Sequence, residues 1–128
     1  MSSFVLDAYA WIEYLDGTVK GENVKKIIEN QENKNYTCAV TVAEIVSKFI
    51  RRGKDVNVAL NAIRMLSKTI NIDIDLSESA GRAYAEIRKK IKDFGLSDAY
   101  VLAVARKVNA KILTGDVHFK NIRETVFV

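Results

Sequence analysis

The stretch LSDAYVLAVARKVNAKILTGD, residues 96–116, reads as a helix that feeds a strand, and the rest of the chain can be placed around that junction. The helix opens at Ser97-Asp98 and is apolar almost all round (Ala99, Val101, Leu102, Ala103, Val104, Ala105 and Val108), so it is expected between layers rather than on the surface. Lys111-Ile112-Leu113-Thr114 follows as a short strand and ends in Gly115-Asp116. A helix that enters a parallel strand from behind has its own N-terminus at that strand's carboxyl edge. Asp98 and Asp116 are therefore expected to meet there, and in open α/β sheets that edge is where ligands bind.

Composition narrows the chemistry. The 128 residues, 48% hydrophobic and 28% charged, describe one globular domain spanning residues 1–128. Asp7 interrupts the first apolar run, no basic leader precedes it, and no stretch approaches the length of a membrane span. Cys38 is the only cysteine, which excludes an internal disulfide and suits a reducing cytoplasm. The formal charge of +4 mildly favours a polyanionic partner. One cysteine and one histidine, His118, cannot build a zinc site of the usual kind or a two-histidine ribonuclease centre. The common glycine-rich nucleotide fingerprints are absent as well. Any chemistry falls to carboxylates and a hard metal ion.

Taken in order, Phe4-Val5-Leu6 is a strand ending at Asp7, and Ala8, Trp11, Ile12 and Leu15 then keep helical spacing. Asp16-Gly17-Thr18 breaks that helix, and Val24, Ile27 and Ile28 mark a second. Tyr36 to Val40 is the next strand, and Thr41 opens a strongly amphipathic helix with Val42, Ile45, Val46, Phe49 and Ile50 on one side. Asp55 caps a helix whose inner face is Ala59, Ala62, Ile63 and Leu66. Ile70-Asn71-Ile72-Asp73-Ile74 alternates with period two and predicts a third strand, followed by a helix from Ser77 to Ile91. Thr125 to Val128 predicts a last strand. Strands alternating with helices predict a three-layer α/β/α sandwich around a central, mainly parallel sheet.

Four acids then share one edge: Asp7 after the first strand, Glu44 in the first turn of the helix after the second, Asp98 at the start of the central helix, and Asp116 after its strand. Each also has an ordinary structural use. Thr41-Val42-Ala43-Glu44 matches a capping box, Asp98 has the favoured sign for a helix start, Asp7 can cap a helix, and Asp116 can belong to a turn. Four carboxylates within reach of one another would repel unless a cation neutralised them. An all-oxygen set of that charge suits Mg²⁺ or Mn²⁺, and hence metal-assisted phosphoryl chemistry with water as nucleophile.

On these residues the chain resembles the PIN-domain ribonucleases, specifically the VapC-like toxins of toxin–antitoxin pairs. The likeness covers FVLDAYAWIEYL, TVAEIVSKF and LSDAYVLAVARKVNAKILTGDVHF, with Leu96-x-Asp98-Ala99 and Thr114-x-Asp116-x-x-Phe119 the most specific parts. The resemblance implies a PIN-like fold, an acidic site made of Asp7, Glu44, Asp98 and Asp116, and a Thr114 that positions Asp116 or a metal-activated water. It further implies Mg²⁺ or Mn²⁺ dependence, cleavage of RNA, a cognate antitoxin partner that fills the active-site groove, and a homodimer. In one departure, Ala8 stands where many relatives carry Ser or Thr after the first Asp.

Lys48, Arg51, Arg52 and Lys54 leave the Glu44 helix and are candidates for RNA phosphates, although cations also suit a helix C-terminus. Trp11 is expected in the core and Cys38 buried and inert. His118 is either a proton shuttle beside Asp116 or an ordinary loop residue. Among rival classes, a haloacid-dehalogenase-like phosphatase needs a second Asp where Tyr9 stands. A receiver domain needs paired acids at the first strand, where only Asp7 is available, and an acceptor near Asp73 or Asp75. An RNA-processing PIN nuclease that is not a toxin and a non-catalytic RNA-binding module remain as alternatives.

Overall fold

A computed structural model describes residues 2–128. Five strands, β1 (Ser3–Leu6), β2 (Lys34–Cys38), β3 (Lys68–Ile70), β4 (Lys111–Thr114) and β5 (Thr125–Phe127), form one sheet in the order β3-β2-β1-β4-β5. Every pairing is parallel. The helices α1 (Ala8–Asp16), α2 (Val19–Ile28), α3 (Ala39–Arg51), α4 (Val56–Leu66), α5 (Ile74–Ile87) and α6 (Leu96–Val108) supply the outer layers. The expected three-layer sandwich is the observed one.

The two faces of the sheet follow from strand alternation. Phe4, Leu6 and Leu113 point into a core shared with α1 to α4, through Trp11, Val24, Ile45, Phe49 and Ile63. Val5 and Ile112 point the other way, against Leu76, Ala80, Phe94 and the apolar residues of α6. In α6, Ala99 and Val101 to Ala105 are all buried, because α5 covers one side of it, the sheet another and α3 its N-terminal end. Full burial of each larger aliphatic is worth about 1.5–3 kcal/mol. Trp11 is fully buried and its Nε1 donates to Thr37 Oγ1 at 3.0 Å. Gly21 is where α1 and α2 come closest: a Cβ there would stand 2.1 Å from the Glu13 carbonyl oxygen.

Three expectations are corrected. α3 begins at Ala39, not at Thr41, with Cys38 at its cap position, so there is no capping box at Thr41 and Glu44 lies in the second turn rather than the first. Thr41 is buried within that first turn and its hydroxyl lacks a partner. The third strand lies over Lys68–Ile70 and not over residues 70–74, because the Asp73 carboxylate accepts from Leu76 N at 2.8 Å and starts α5 at Ile74. Ile50, expected on the inner face of α3, is 64% exposed.

β1 lies at the centre, with β2 and β3 to one side and β4 and β5 to the other. The chain order reverses between β1 and β4, and a crevice opens beyond the carboxyl ends of strands at such a switch point. Asp7 follows β1 directly and Asp116 comes two residues after β4.

Candidate active site

Asp7 has two local duties. One carboxylate oxygen caps α1 by accepting from Ala10 N at 2.9 Å, and the other accepts the Thr114 hydroxyl. Thr114 in turn accepts the backbone N–H of Asp116 at 2.9 Å. One buried hydroxyl therefore ties the end of β1 to the turn after β4 and fixes Asp7 relative to Asp116. Gly115, between them, is needed for a steric reason: a Cβ would lie 2.2 Å from the ring of Tyr9. Lys20 holds that ring by donating to the Tyr9 hydroxyl at 3.0 Å and lying 5.4 Å from the ring centroid.

Asp98 and Asp116 are also positioned by backbone. An Asp98 carboxylate oxygen accepts from Gly95 N at 2.8 Å, and Asp116 caps a short 3₁₀ turn, Val117–Phe119, by accepting from His118 N at 2.9 Å. Glu44 reaches across from α3 and accepts the Ser97 hydroxyl at 3.1 Å. His118 Nδ1 stands 3.4 Å from Asp98 Oδ2 and 3.4 Å from Asp116 Oδ1.

The electrostatics agree with this convergence. Burial lifts the Asp7 carboxyl to about 7; its bonds from Thr114 and Ala10 oppose the rise, and the charges of Asp116 and Asp98 add to it. Asp98 is raised by partial burial, then by Asp116, against the Gly95 N–H and His118. Glu44 is raised by partial burial and by Asp98 and Asp116, against the Ser97 bond. Asp98 and Asp116 thus act on both Asp7 and Glu44, although the four acids come from four separate segments. Two hydrogen-bonded carboxylates and an imidazole fit a divalent cation: one ligand atom each from Asp98, Asp116 and His118 lies within 4.8 Å of the others, and a cation would relieve the crowding.

A cleft of about 530 Å³ runs from this cluster between α1 and α3, lined by Tyr9, Ile12, Glu44, Ser47, Lys48 and Arg51, with Asp116 at its inner end. Lys48 and Arg51 thus border the acids. Arg52 and Lys54 instead pair with Asp16. A larger groove, of about 700 Å³ between α5 and α6, is lined by Asp73, Asp75, Arg82 and Arg106 and contains none of the four acids. Asp73 caps α5, and β3 ends at Ile70, so neither Asp73 nor Asp75 directly follows the third strand as a receiver-domain acceptor would.

Sequence reasoning missed the role of Ser97 and one neighbour of His118. Ser97 and Glu44 are 53 positions apart, so no local pattern announces their bond. His118 was weighed as a proton shuttle beside Asp116, but its proximity to Asp98 depends on tertiary structure.

The class the structure defines is a three-layer α/β/α sandwich with a parallel five-stranded sheet and acids near its switch point. The chain belongs to the PIN domain family, whose model matches residues 4–125. None of the curated proteins matches it. Among solved structures it is similar to a chain of VapBC2 from Rickettsia felis bound to a promoter DNA fragment, with TM-score 0.75, 16% identity and coverage of 98% of this chain and 97% of that one. A toxin–antitoxin complex from Klebsiella pneumoniae gives TM-score 0.72 at 20% identity, covering 95% and 94%. Mycobacterium tuberculosis VapC20, a sarcin-ricin loop cleaving toxin, gives 0.70 at 21% identity, covering 94% and 97%. At these identities the likeness is one of fold. Among the described residues, no helix is long and apolar enough to cross a membrane.

Proposed function

We propose that this chain is a divalent-metal-dependent endoribonuclease that hydrolyses RNA phosphodiesters to a 3′-hydroxyl and a 5′-phosphate, and that it is the toxin of a toxin–antitoxin pair. What supports the reading is the charge of Asp98 and Asp116 acting on both Asp7 and Glu44 near the sheet's switch point, with the pKa values of Asp7, Glu44 and Asp98 raised. Membership of the PIN family supports nuclease chemistry, and the toxin–antitoxin complexes among the similar folds support a small antitoxin partner.

In this reading Asp7, Asp98 and Asp116, with Glu44 at the rim, hold Mg²⁺ or Mn²⁺. When bound, the ion supplies a Lewis acid that eases deprotonation of water and offsets charge developing on the phosphate. The protein's part is positioning. Thr114 keeps Asp7 and Asp116 at fixed separation, the Gly95 and His118 N–H groups orient the Asp98 and Asp116 carboxylates, and Ser97 aims Glu44. Lys48 and Arg51 grip phosphates of the strand lying in the cleft, without reading sequence.

The test is RNA cleavage by purified protein with Mn²⁺, with Mg²⁺ and with EDTA, for wild type and Asp98→Asn. Cleavage should require the cation and fall by at least about 100-fold in the variant, since the chemistry loses an electrostatic anchor. Equal cleavage in EDTA would refute the reading. Binding of RNA without cleavage, unaltered by Asp98→Asn, would favour a non-catalytic RNA-binding module. Growth arrest relieved by the product of a small neighbouring gene would separate a toxin from an RNA-processing nuclease.

A further inference from the structure

We propose that His118 contributes an imidazole nitrogen to the metal centre, which makes the site a mixed oxygen–nitrogen one that prefers Mn²⁺ to Mg²⁺. This rests on the metal-site reading above and adds a ligand of different chemistry to it.

The first support is spacing. Nδ1 lies at the same distance, 3.4 Å, from Asp98 Oδ2 and from Asp116 Oδ1. That is longer than an N–H···O hydrogen bond, about 2.7–3.2 Å, so the ring is bonded to neither carboxylate. It is close to what adjacent ligands of one cation require: with metal–ligand bonds of about 2.1 Å, neighbouring donors of an octahedral ion stand about 3.0 Å apart. A few tenths of an ångström of contraction would bring all three atoms onto one ion.

The second support is how the ring is carried. Its backbone N–H donates to Asp116 Oδ1, and the next residue, Phe119, is fully buried. Phe119 packs edge-on against Phe94, with centroids 5.7 Å apart. Phe94 directly precedes Gly95, whose N–H holds Asp98. One aromatic pair thus anchors both the segment bearing His118 and the segment bearing Asp98, and so sets the separation of the two ligand groups. The imidazole side chain performs no capping duty of its own, and it is 33% exposed.

The third support is ligand chemistry. Mg²⁺ takes oxygen donors and gives up its waters reluctantly, whereas imidazole suits transition ions, for which affinity at N/O sites rises from Mn²⁺ onward. Replacing one water or carboxylate by a neutral nitrogen favours Mn²⁺ over Mg²⁺. The lone pair of Nδ1 makes the bond and the proton resides on Nε2.

The chain contains a single histidine, so labelling is specific without mutation. Tag-free protein labelled with ¹⁵N-histidine and its unlabelled counterpart should be loaded with Mn²⁺ and examined by pulsed electron paramagnetic resonance, with calorimetric titration of Mn²⁺ and Mg²⁺ alongside for wild type, His118→Gln and Asp98→Asn. The expected result is an imidazole nitrogen coupling that changes with the isotope and vanishes in His118→Gln. In that variant Mn²⁺ binding should weaken roughly tenfold or more, and Mg²⁺ binding by much less. If Mn²⁺ binds, and binds more weakly to Asp98→Asn, but shows no nitrogen coupling and equal affinity for His118→Gln, the role of His118 is overturned while the carboxylate centre stands. If wild type binds no Mn²⁺, both are overturned.

Discussion

Replacing Asp7 by asparagine should make the metal-free protein more stable at alkaline pH and abolish RNA cleavage. The carboxyl is 5% exposed, and its pKa rises from 3.8 to about 7, chiefly through burial. In the unfolded chain it ionises at the ordinary value. Between pH ~4 and ~7 the native state therefore holds a proton that the unfolded state has released, so stability falls as pH rises through that window and stays reduced above it. At about 1.4 kcal/mol per pH decade, the ceiling on this loss is about 4 kcal/mol. Asparagine is a favoured helix cap and keeps the bond from Ala10 N, but it gives up the charge-assisted bond from Thr114, worth roughly 1.5–3 kcal/mol. The net gain at pH 8 is about 2 kcal/mol, or about 8 °C in Tm for a chain of this size. At pH 5 most of the penalty is gone, and the two proteins should melt within a few degrees of each other. Circular dichroism melts in EDTA at both pH values read this directly. A variant that melts below wild type at pH 8, or a difference that does not change with pH, refutes the reasoning. Mn²⁺ should then raise the Tm of wild type more than that of the variant, because the ion stabilises only the form that binds it.

Gly115→Ala should cost about 1–3 kcal/mol by driving a methyl into Tyr9, and Tyr9→Ala in the same chain should recover most of the loss; wild-type melting of the single variant would show that the ring does not wall the turn. Lys48→Ala and Arg51→Ala should each raise KM for RNA and reduce the slope of log affinity against log salt by about 0.7, as expected for one lost phosphate contact on a single strand. Arg52→Ala, whose guanidinium is engaged by Asp16, should leave that slope unaltered, so equal slopes in all three variants would contradict the assignment. Ser97→Ala should lower kcat with little change in KM, while Ser97→Thr keeps the hydroxyl and most of the rate; a fall in KM alone would argue against the aiming of Glu44.

The α6–β4 stretch was legible because both of its signals are local and strong: six buried positions on a helix expected between layers, then four strand residues found where their β-branched and apolar run predicts. The gathering of the four acids followed from strand–helix topology alone. Boundaries were harder. Period-two spacing in Ile70-Asn71-Ile72-Asp73-Ile74 imitates a strand, but the cap at Asp73 wins over it, because the first amides of α5 need an acceptor. At Thr41 a sequence match to a capping box was outweighed by two further residues entering the helix, which leaves that hydroxyl enclosed. The approach of His118 to Asp98 and the bond of Ser97 to Glu44 could not be read, since each depends on a side-chain meeting across elements that carries no periodicity.

The bond between Thr114 and Asp7 joins residues 107 positions apart, and β1 obtains its partner β4 from equally far along the chain. Such pairings are slow to form, because a long loop must close before they reward it. At about 5–20 residues per second of translation, the first and second acids emerge from a ribosome seconds before the third and fourth. A nascent chain therefore lacks the assembled acidic cluster until most of the domain has been made. Completion of the cluster is deferred until β4 docks, a delay built into the topology that, under the function proposed above, would leave time for an inhibitor to bind first.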